Sequence, residues 1–464
     1  MYEFTNRTMK KISIINRATA VIVMVFFSTI VTTAQTKTAE AVAFNLQQAI
    51  DYAMTNNTRL QNANLDNEIG KNKVKEVIGM GLPQISASGT LTDMELIQNV
   101  FIPANAFNPI APADVVVPLG FGVQYSSSAS ITASQLIFSN TFLLGVEAAK
   151  TYQQLLQKAG TRTKIETIAA VSKAYYSVLV NEERMSLLNA NIDRLKKLSE
   201  DTKALNENGI VEKLDVDRIT LAYTSLLVEK EKVERLFGLS LVLLKYQMGL
   251  DQSAQLTLTD KISSINFQSE TTAEKPNYSG RIEYSLAETQ KRAAYIQYKS
   301  DKLSFLPTLA AFANLGSNTG GIKFDLYNSD KLWKGFAIIG ATLNVPIFSG
   351  GQKHYKTQQS KLGLTKAEND LKFVQQSIDL DFASATIQLQ NATASLETQK
   401  KNIELAEEVS KVSKLKYEQG IGSNLEVLNA ETSLKEAQTN YFSALYDALI
   451  AKVDYQKANG TLVK

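Results

Sequence analysis

A single histidine, His354, and no cysteine serve the whole 464-residue chain. That inventory cannot build a thiolate nucleophile, a disulfide, an iron–sulfur cluster, a zinc ribbon or a multi-histidine metal site. No phosphate-binding glycine loop occurs, no nucleophile is spaced from a base, and no carboxylate pair is marked for a pocket, so neither an enzyme nor a cofactor is expected. His354 follows a strand-like segment and is taken as an incidental polar residue, not a proton sensor. What does recur is a glycine pattern. Gly209-Ile210 returns as Gly420-Ile421, Leu214-Asp215-Val216 as Leu425-Glu426-Val427, and Gly249 as Gly460, each near an offset of 211 residues. A glycine that ends a helical pattern offers a left-handed conformation in which the chain can reverse.

The elements that carry these turns follow from periodicity. At similar offsets Leu136-Ile137-Phe138-Ser139 pairs with Pro346-Ile347-Phe348-Ser349, and Leu82-Pro83 with Leu306-Pro307, so the chain reads as two copies of one unit, 35–261 and 262–464. Within each copy the order is helix, strand, strand, long helix, helix. Leu46, Ala49, Ile50, Ala53 and Met54 recur at helical spacing behind Asn45 as a candidate N-cap, and the polar run Thr55 to Thr58 interrupts before a second helix toward Gly79. Prolines are absent from 119–275 and 347–464, which leaves Thr141 to Leu205 and Gln352 to Lys416 free to form helices of roughly 100 Å at 1.5 Å per residue. In the first, Ile168, Val171, Tyr175, Val178, Met185, Leu188, Ile192, Leu195, Thr202 and Leu205 mark a seam with a repeat near 3.5. Such helices turn back at Gly209 and Gly420 as antiparallel coiled hairpins.

Between helices the period changes to two. Ile85, Ala87, Gly89 and Leu91 alternate with Gln84, Ser86, Ser88 and Thr90, and Val123, Tyr125, Ala129, Ile131 and Ala133 alternate with Ser, Thr and Gln. The second copy repeats this in Leu309, Ala311, Ala313 and Leu315, then in Ala337, Ile339, Ala341, Leu343 and Val345. These strands are long enough to cross a bilayer at a tilt. A half-buried soluble sheet fits the alternation as well. Three features favour a membrane: aromatic residues near the strand ends (Phe101, Phe107, Phe121, Tyr125, Phe138; Phe324, Tyr327, Trp333, Phe336, Phe348), hairpin loops long at one end only, and an export signal. That signal is residues 1–34, where Lys10 and Lys11 precede the apolar run Ala18 to Val31 and small residues precede Gln35. Four strands cannot close a barrel, so several copies must each supply a sector. The proline-rich segment Asn99 to Leu119 is read as a stiffened outer loop that resists edge pairing. Without residues 1–34 the chain has 45 basic and 45 acidic residues, so nucleic-acid binding is not expected.

From 44 to 462 the sequence resembles the TolC-like family of outer-membrane efflux channels. The resemblance rests on Tyr417-Glu418-Gln419-Gly420-Ile421-Gly422-Ser423-Asn424-Leu425-Glu426-Val427-Leu428, on Asn459-Gly460-Thr461-Leu462, on the opening helix Leu46-x-x-Ala49-Ile50-x-x-Ala53-Met54-x-x-Asn57, and on the strand boundaries Leu306-Pro307 and Val345-Pro346-Ile347-Phe348-Ser349-Gly350-Gly351. It implies a mixed α and β membrane protein: a homotrimer whose three four-stranded sectors close a twelve-stranded β-barrel in outer-membrane lipid, continued by a helical tunnel across the periplasm. It further implies a passive exit duct for an inner-membrane pump and a periplasmic adaptor. The two hairpin tips would then lie at the periplasmic entrance, with Gly209, Asp215, Asp217, Tyr417, Gly420, Glu426 and Asn429 as the candidate gate and adaptor-contact residues. Where relatives often carry an arginine and an aspartate, two and nine residues after the glycine, this chain has Gly422 and Asn429. Asp215, Asp217 and Glu426 are the acidic candidates left for a ring, and each fits a helix start equally well. A periplasmic coiled-coil scaffold or adaptor without a membrane barrel is the alternative reading.

Overall fold

The computed structural model describes residues 42–106, 109–110, 112, 114–262, 275–328, 330 and 332–463. The export signal 1–34 and Phe107 lie outside the described residues. The chain divides into two compact units. In the first, Met1–Ala43 with Ser253–Thr257, the Val42 N–H donates to the Gln255 carbonyl at 2.9 Å. The second, Phe44–Gln252 and Leu258–Lys464, holds the helices and the main sheet.

Short strands β1 (Val42–Phe44) and β6 (Leu256–Leu258) flank the first helices. Helix α1 (Leu46–Asn56) starts in a capping box: Asn45 Oδ1 accepts from Gln48 N at 2.8 Å and Gln48 Oε1 accepts from Asn45 N at 3.0 Å. Asn57 ends α1 and caps α2 (Thr58–Gly79), so the polar interruption expected at Thr55 to Thr58 is a joint between two helices. Its amide also donates to Gln247 O at 2.7 Å.

The two proline-free stretches are single helices, α3 (Asn140–Glu207, 68 residues) and α6 (Gln352–Glu418, 67 residues). Their partners α4 (Lys213–Met248) and α7 (Asn424–Ala458) return antiparallel, and α5 (Ile282–Lys302) repeats α2 in the second half. Of the ten seam positions on α3, Val171, Tyr175, Val178, Leu188, Ile192, Leu195 and Thr202 are buried. Leu188, Ile192 and Leu195 pack on Leu226 and Val233 of α4, while Val180 packs on Phe442, Leu445 and Leu449 of α7. Each buried leucine-sized side chain contributes about 1.5–3 kcal/mol, so helices with weak intrinsic preference persist over this length through packing.

Four strands form one antiparallel sheet: β2 (Gln84–Asp93), β5 (Tyr125–Phe138), β7 (Thr308–Gly321) and β8 (Lys334–Asn344), in that order, with β2 and β8 as edges. The register sets Ile85, Ala133, Ala313 and Ile339 in one row and Ala87, Ile131, Leu315 and Ala337 in the next, on the same face. The opposite face has rows such as Ser88, Ser130, Gly316 and Phe336. Ser, Thr and Asn dominate it on β2 and β5; on β7 and β8, Phe336 lies over Gly316 and Phe312 over Gly340, where a Cβ would meet the rings at 2.5 and 2.9 Å. The apolar face is open, with Ile85 and Ile339 exposing 73% and 84% of their surface.

The segment Asn99 to Leu119 is more ordered than a stiff loop. Strands β3 (Asn99–Pro103) and β4 (Val116–Gly120) pair within it, Phe101 opposite Pro118 and Pro103 opposite Val116. The expectation that its prolines exclude pairing is corrected for a physical reason: a two-stranded ribbon has one ladder, so a proline whose nitrogen faces the open edge removes no hydrogen bond. At the same end of the sheet Tyr125 meets Phe324 edge to face at 5.5 Å, Tyr327 lies 6.1 Å from Trp333, and the Tyr327 hydroxyl is 3.0 Å from that of buried Ser127.

Candidate functional site: the hairpin tips and their cross-links

The α3–α4 and α6–α7 turns have one backbone design. Gly209 and Gly420 adopt φ of +72° and +73°. Gly209 N donates to Asn206 O at 2.9 Å and Ile210 N to Leu205 O at 2.9 Å; Gly420 N donates to Tyr417 O at 3.0 Å and Ile421 N to Lys416 O at 3.1 Å. Both are Schellman terminations, in which a left-handed residue lets the following amides satisfy the last helix carbonyls. The same motif closes α4 at Gly249 and α7 at Gly460, so it occurs at equivalent places in both halves.

The carboxylates at the tips differ. Asp215 lies in the first turn of α4, half-buried, with Arg218 Nη1 3.6 Å from its Oδ1. Asp217 is exposed one helical position beyond Val216. Glu426 lies in the first turn of α7, where Ser423 Oγ accepts from its backbone N at 3.2 Å, and its side chain is exposed, as is Asn429. Ser423 is therefore the cap of α7, a role its place three residues before Glu426 signals in the sequence. Tyr417 is half-buried on the last turn of α6, and its hydroxyl, like buried Asn424 Oδ1, has no hydrogen-bond partner. A Cβ at Gly422 would lie 3.0 Å from Tyr417 N, so this backbone favours glycine where relatives carry arginine. His354 is exposed near the start of α6, its ring 5.5 Å from that of Tyr355.

Above the tips a polar chain joins the two hairpins. Asn191 Nδ2 on α3 donates to Gln438 Oε1 on α7 at 2.7 Å, and both residues are buried. Arg194 donates to Asn191 Oδ1 and sits 3.7 Å from Glu431, which accepts from Ser410 of α6 at 2.8 Å. Sequence reasoning passed over this chain, although a polar residue inside an apolar seam was its signal. Nearer the sheet, Arg281 is 5% exposed: Nη1 donates to Ala458 O at 2.9 Å, Nε to Glu283 at 3.0 Å and Nη2 to Asp381 at 3.3 Å. Burial pushes the Glu283 carboxyl up, but the Arg281 hydrogen bond and charge outweigh it and hold it below its usual range. Tyr175 donates to Asp260 at 2.7 Å, and burial together with that carboxylate raises the phenol far above its ordinary value.

Two coiled hairpins on a four-stranded, edge-open sheet are the architecture of one kind of protein. The fold is that of a TolC-like outer-membrane channel. Residues 285–461 match the family described as Outer membrane efflux protein. The outer membrane protein TolC of Escherichia coli is 24% identical over 90% of this chain and 83% of its own length. The probable efflux pump outer membrane protein TtgC of Pseudomonas putida is 22% identical over 89% and 82%. Among solved structures, the open-state MtrE outer membrane channel of Neisseria gonorrhoeae aligns with a TM-score of 0.71 at 20% identity, covering 90% of this chain and 89% of its own. The TolC-like fold explains why strands and helices of such length share one chain: strands of 10 to 14 residues match a bilayer, while the helices far exceed it.

Proposed function

We propose that three copies of this chain form a channel-tunnel in the outer membrane that extends into the periplasm and serves as the passive exit duct of a tripartite efflux or secretion system. The observation that carries this is the open sheet: its apolar face is uncovered, its two edges are unpaired in the single chain, and aromatic residues stand at both ends of its strands, with Tyr125, Phe324, Tyr327 and Trp333 at one and Phe138, Phe305 and Phe348 at the other. An apolar band bracketed by aromatic girdles is the outer wall of a transmembrane barrel, and twelve strands close one where four do not.

The helices support assembly from copies. Leu214, Leu221 and Val228 on α4, and Phe373, Leu380 and Ile387 on α6, are exposed at a strict spacing of seven. Such stripes are coiled-coil seams waiting for helices that the chain itself does not provide. In this reading the tips at Gly209 and Gly420 face the periplasm and meet an adaptor, an inner-membrane pump supplies the energy, and Asp215, Asp217, Tyr417, Glu426 and Asn429 line the entrance.

The test is extraction and mass. The protein should fractionate with outer membranes, require detergent, run as a trimer by native mass spectrometry and conduct ions in planar bilayers. A stable monomer that stays soluble without detergent would favour the periplasmic scaffold instead. For the tips, G209V and G420V should each reduce cross-linking to the adaptor while leaving trimer mass unchanged.

A further inference from the structure

We infer that the outer rim of the cylinder is locked between copies by an acid–base seam, in which the Asp93–Glu95 end of β2 in one copy receives Lys334 of β8 from a second copy. The inference rests on the trimeric channel reading and adds the register and the residues of its subunit joint.

In the sheet order β2-β5-β7-β8 the two unpaired edges are β2 and β8, so a ring of identical sectors must set the β8 edge of one copy beside the β2 edge of the next. At the outer end the two edges carry opposite charge. Asp93 and Glu95 are exposed where β2 finishes, and Lys334 is exposed where β8 begins, with Lys323 exposed just beyond β7. Among the described residues Glu95, Lys323 and Lys334 have no ion-pair partner in their own chain, and Asp93 has only a 3.5 Å contact from the Gln124 amide.

Barrel geometry brings these charges together. Lys334 lies opposite Asn318, Asn318 opposite Ser128 and Ser128 opposite Thr90, so within one copy Lys334 shares a row with Thr90. Strands tilted by about 35–45° and spaced about 4.8 Å apart stagger a four-stranded sector by about four to six residues. The direction follows from the ladder. Met94 N donates to Gln124 O at 2.8 Å, so the even-numbered residues at the end of β2 turn their N–H groups toward β5. For L-residues this places β5, β7 and β8 successively to the left of β2 when the apolar face is viewed with the outer end up. Right-handed coiling of the strands then steps the seam toward the outer end, and Lys334 arrives against Met94–Leu96 of the next copy, with Glu95 between them and Asp93 alongside. The opposite stagger would set Lys334 against Ser86, where no acid stands.

The cysteine-free chain makes the register measurable by disulfide trapping. Within one chain Met94 and Lys334 are separated by three strand spacings, about 14 Å, beyond the reach of a disulfide, so any link joins two copies. In detergent-solubilised trimer, M94C/K334C or L96C/K334C should give covalent dimer and trimer bands under mild oxidation, and S86C/K334C should not. Links through Ser86, or none while native mass shows a trimer, would overturn the register. A monomeric parent protein would instead overturn the channel reading from which it starts. As a readout of the charges, D93K/E95K should lower the temperature at which the trimer dissociates in SDS, and adding K334E should restore it. An unchanged temperature in D93K/E95K would overturn the acid–base lock.

Discussion

Asn191 on α3 gives its side-chain N–H to Gln438 on α7 at 2.7 Å, and neither residue reaches solvent. The bond ties a helix of the first hairpin to one of the second at a level where the apolar packing of Val180 on Phe442 has ended and only the polar chain through Arg194, Glu431 and Ser410 continues toward the tips. Gln438→Leu should destabilise the helical region by about 1–3 kcal/mol, because it strands a buried amide. The double variant N191L/Q438L should recover part of that loss, since removing both partners leaves less unsatisfied. Thermal melts of the four proteins of the cycle in detergent decide it: an additive double variant would mean that the two amides are not coupled.

Gly209, Gly420 and Gly249 share nearly the same positive φ but not the same surroundings. A Cβ on Gly209 or Gly420 would meet nothing within 4 Å, whereas on Gly249 it would lie 2.6 Å from Asn56 O. G209A and G420A should each cost about 1–2 kcal/mol through the left-handed backbone alone. G249A should cost more, because Asn56 and the α1–α2 joint must move. Equal melting shifts for the three variants would contradict this.

Tyr175 sets an alkaline limit. Burial, then the Asp260 hydrogen bond and charge, raise its folded-state value. The folded protein therefore keeps this proton after the unfolded chain has lost it, so the stability it contributes is full below about pH 10, the ordinary tyrosine value, and declines as pH rises above it. Y175F should be less stable at neutral pH, through loss of the bond to Asp260, yet show a flatter decline between pH 10 and 11.5. Parallel curves for the two proteins would exclude Tyr175 as the source.

The faces of β5 should respond in opposite ways. Ile131 lies in the apolar row with Ala87 and Leu315, and Ser130 in the row with Ser88 and Gly316. I131R should cost about 2–4 kcal/mol near the bilayer midplane and reduce the outer-membrane yield. S130R should assemble normally and change single-channel conductance instead. Reversed phenotypes would mean that the sheet is inside out.

Glu426 is exposed in the first turn of α7 at the periplasmic end of the proposed duct. Three copies of it would favour cations, so E426Q should move the reversal potential in a salt gradient toward that of an unselective pore. An unmoved potential would leave Glu426 with no role beyond its helix start.

Local rules were enough for the elements. A period of two followed by one near 3.5, two proline-free stretches, and glycines at 209 and 420 specified four strands, two helices of nearly 70 residues and their reversals, because side-chain alternation and φ preference act within a few residues. The amino-acid sequence also repeated its own turn design at equivalent places. Which side chains meet across elements was beyond it. The Asn191–Gln438 bond joins residues 247 apart, Arg281 reaches the Ala458 carbonyl, and Pro118 finds a ladder in which its missing N–H is harmless. Such pairings depend on how the hairpins rotate about their axes and how the sheet twists, and those angles are fixed by the summed packing of many distant residues, which no local pattern encodes.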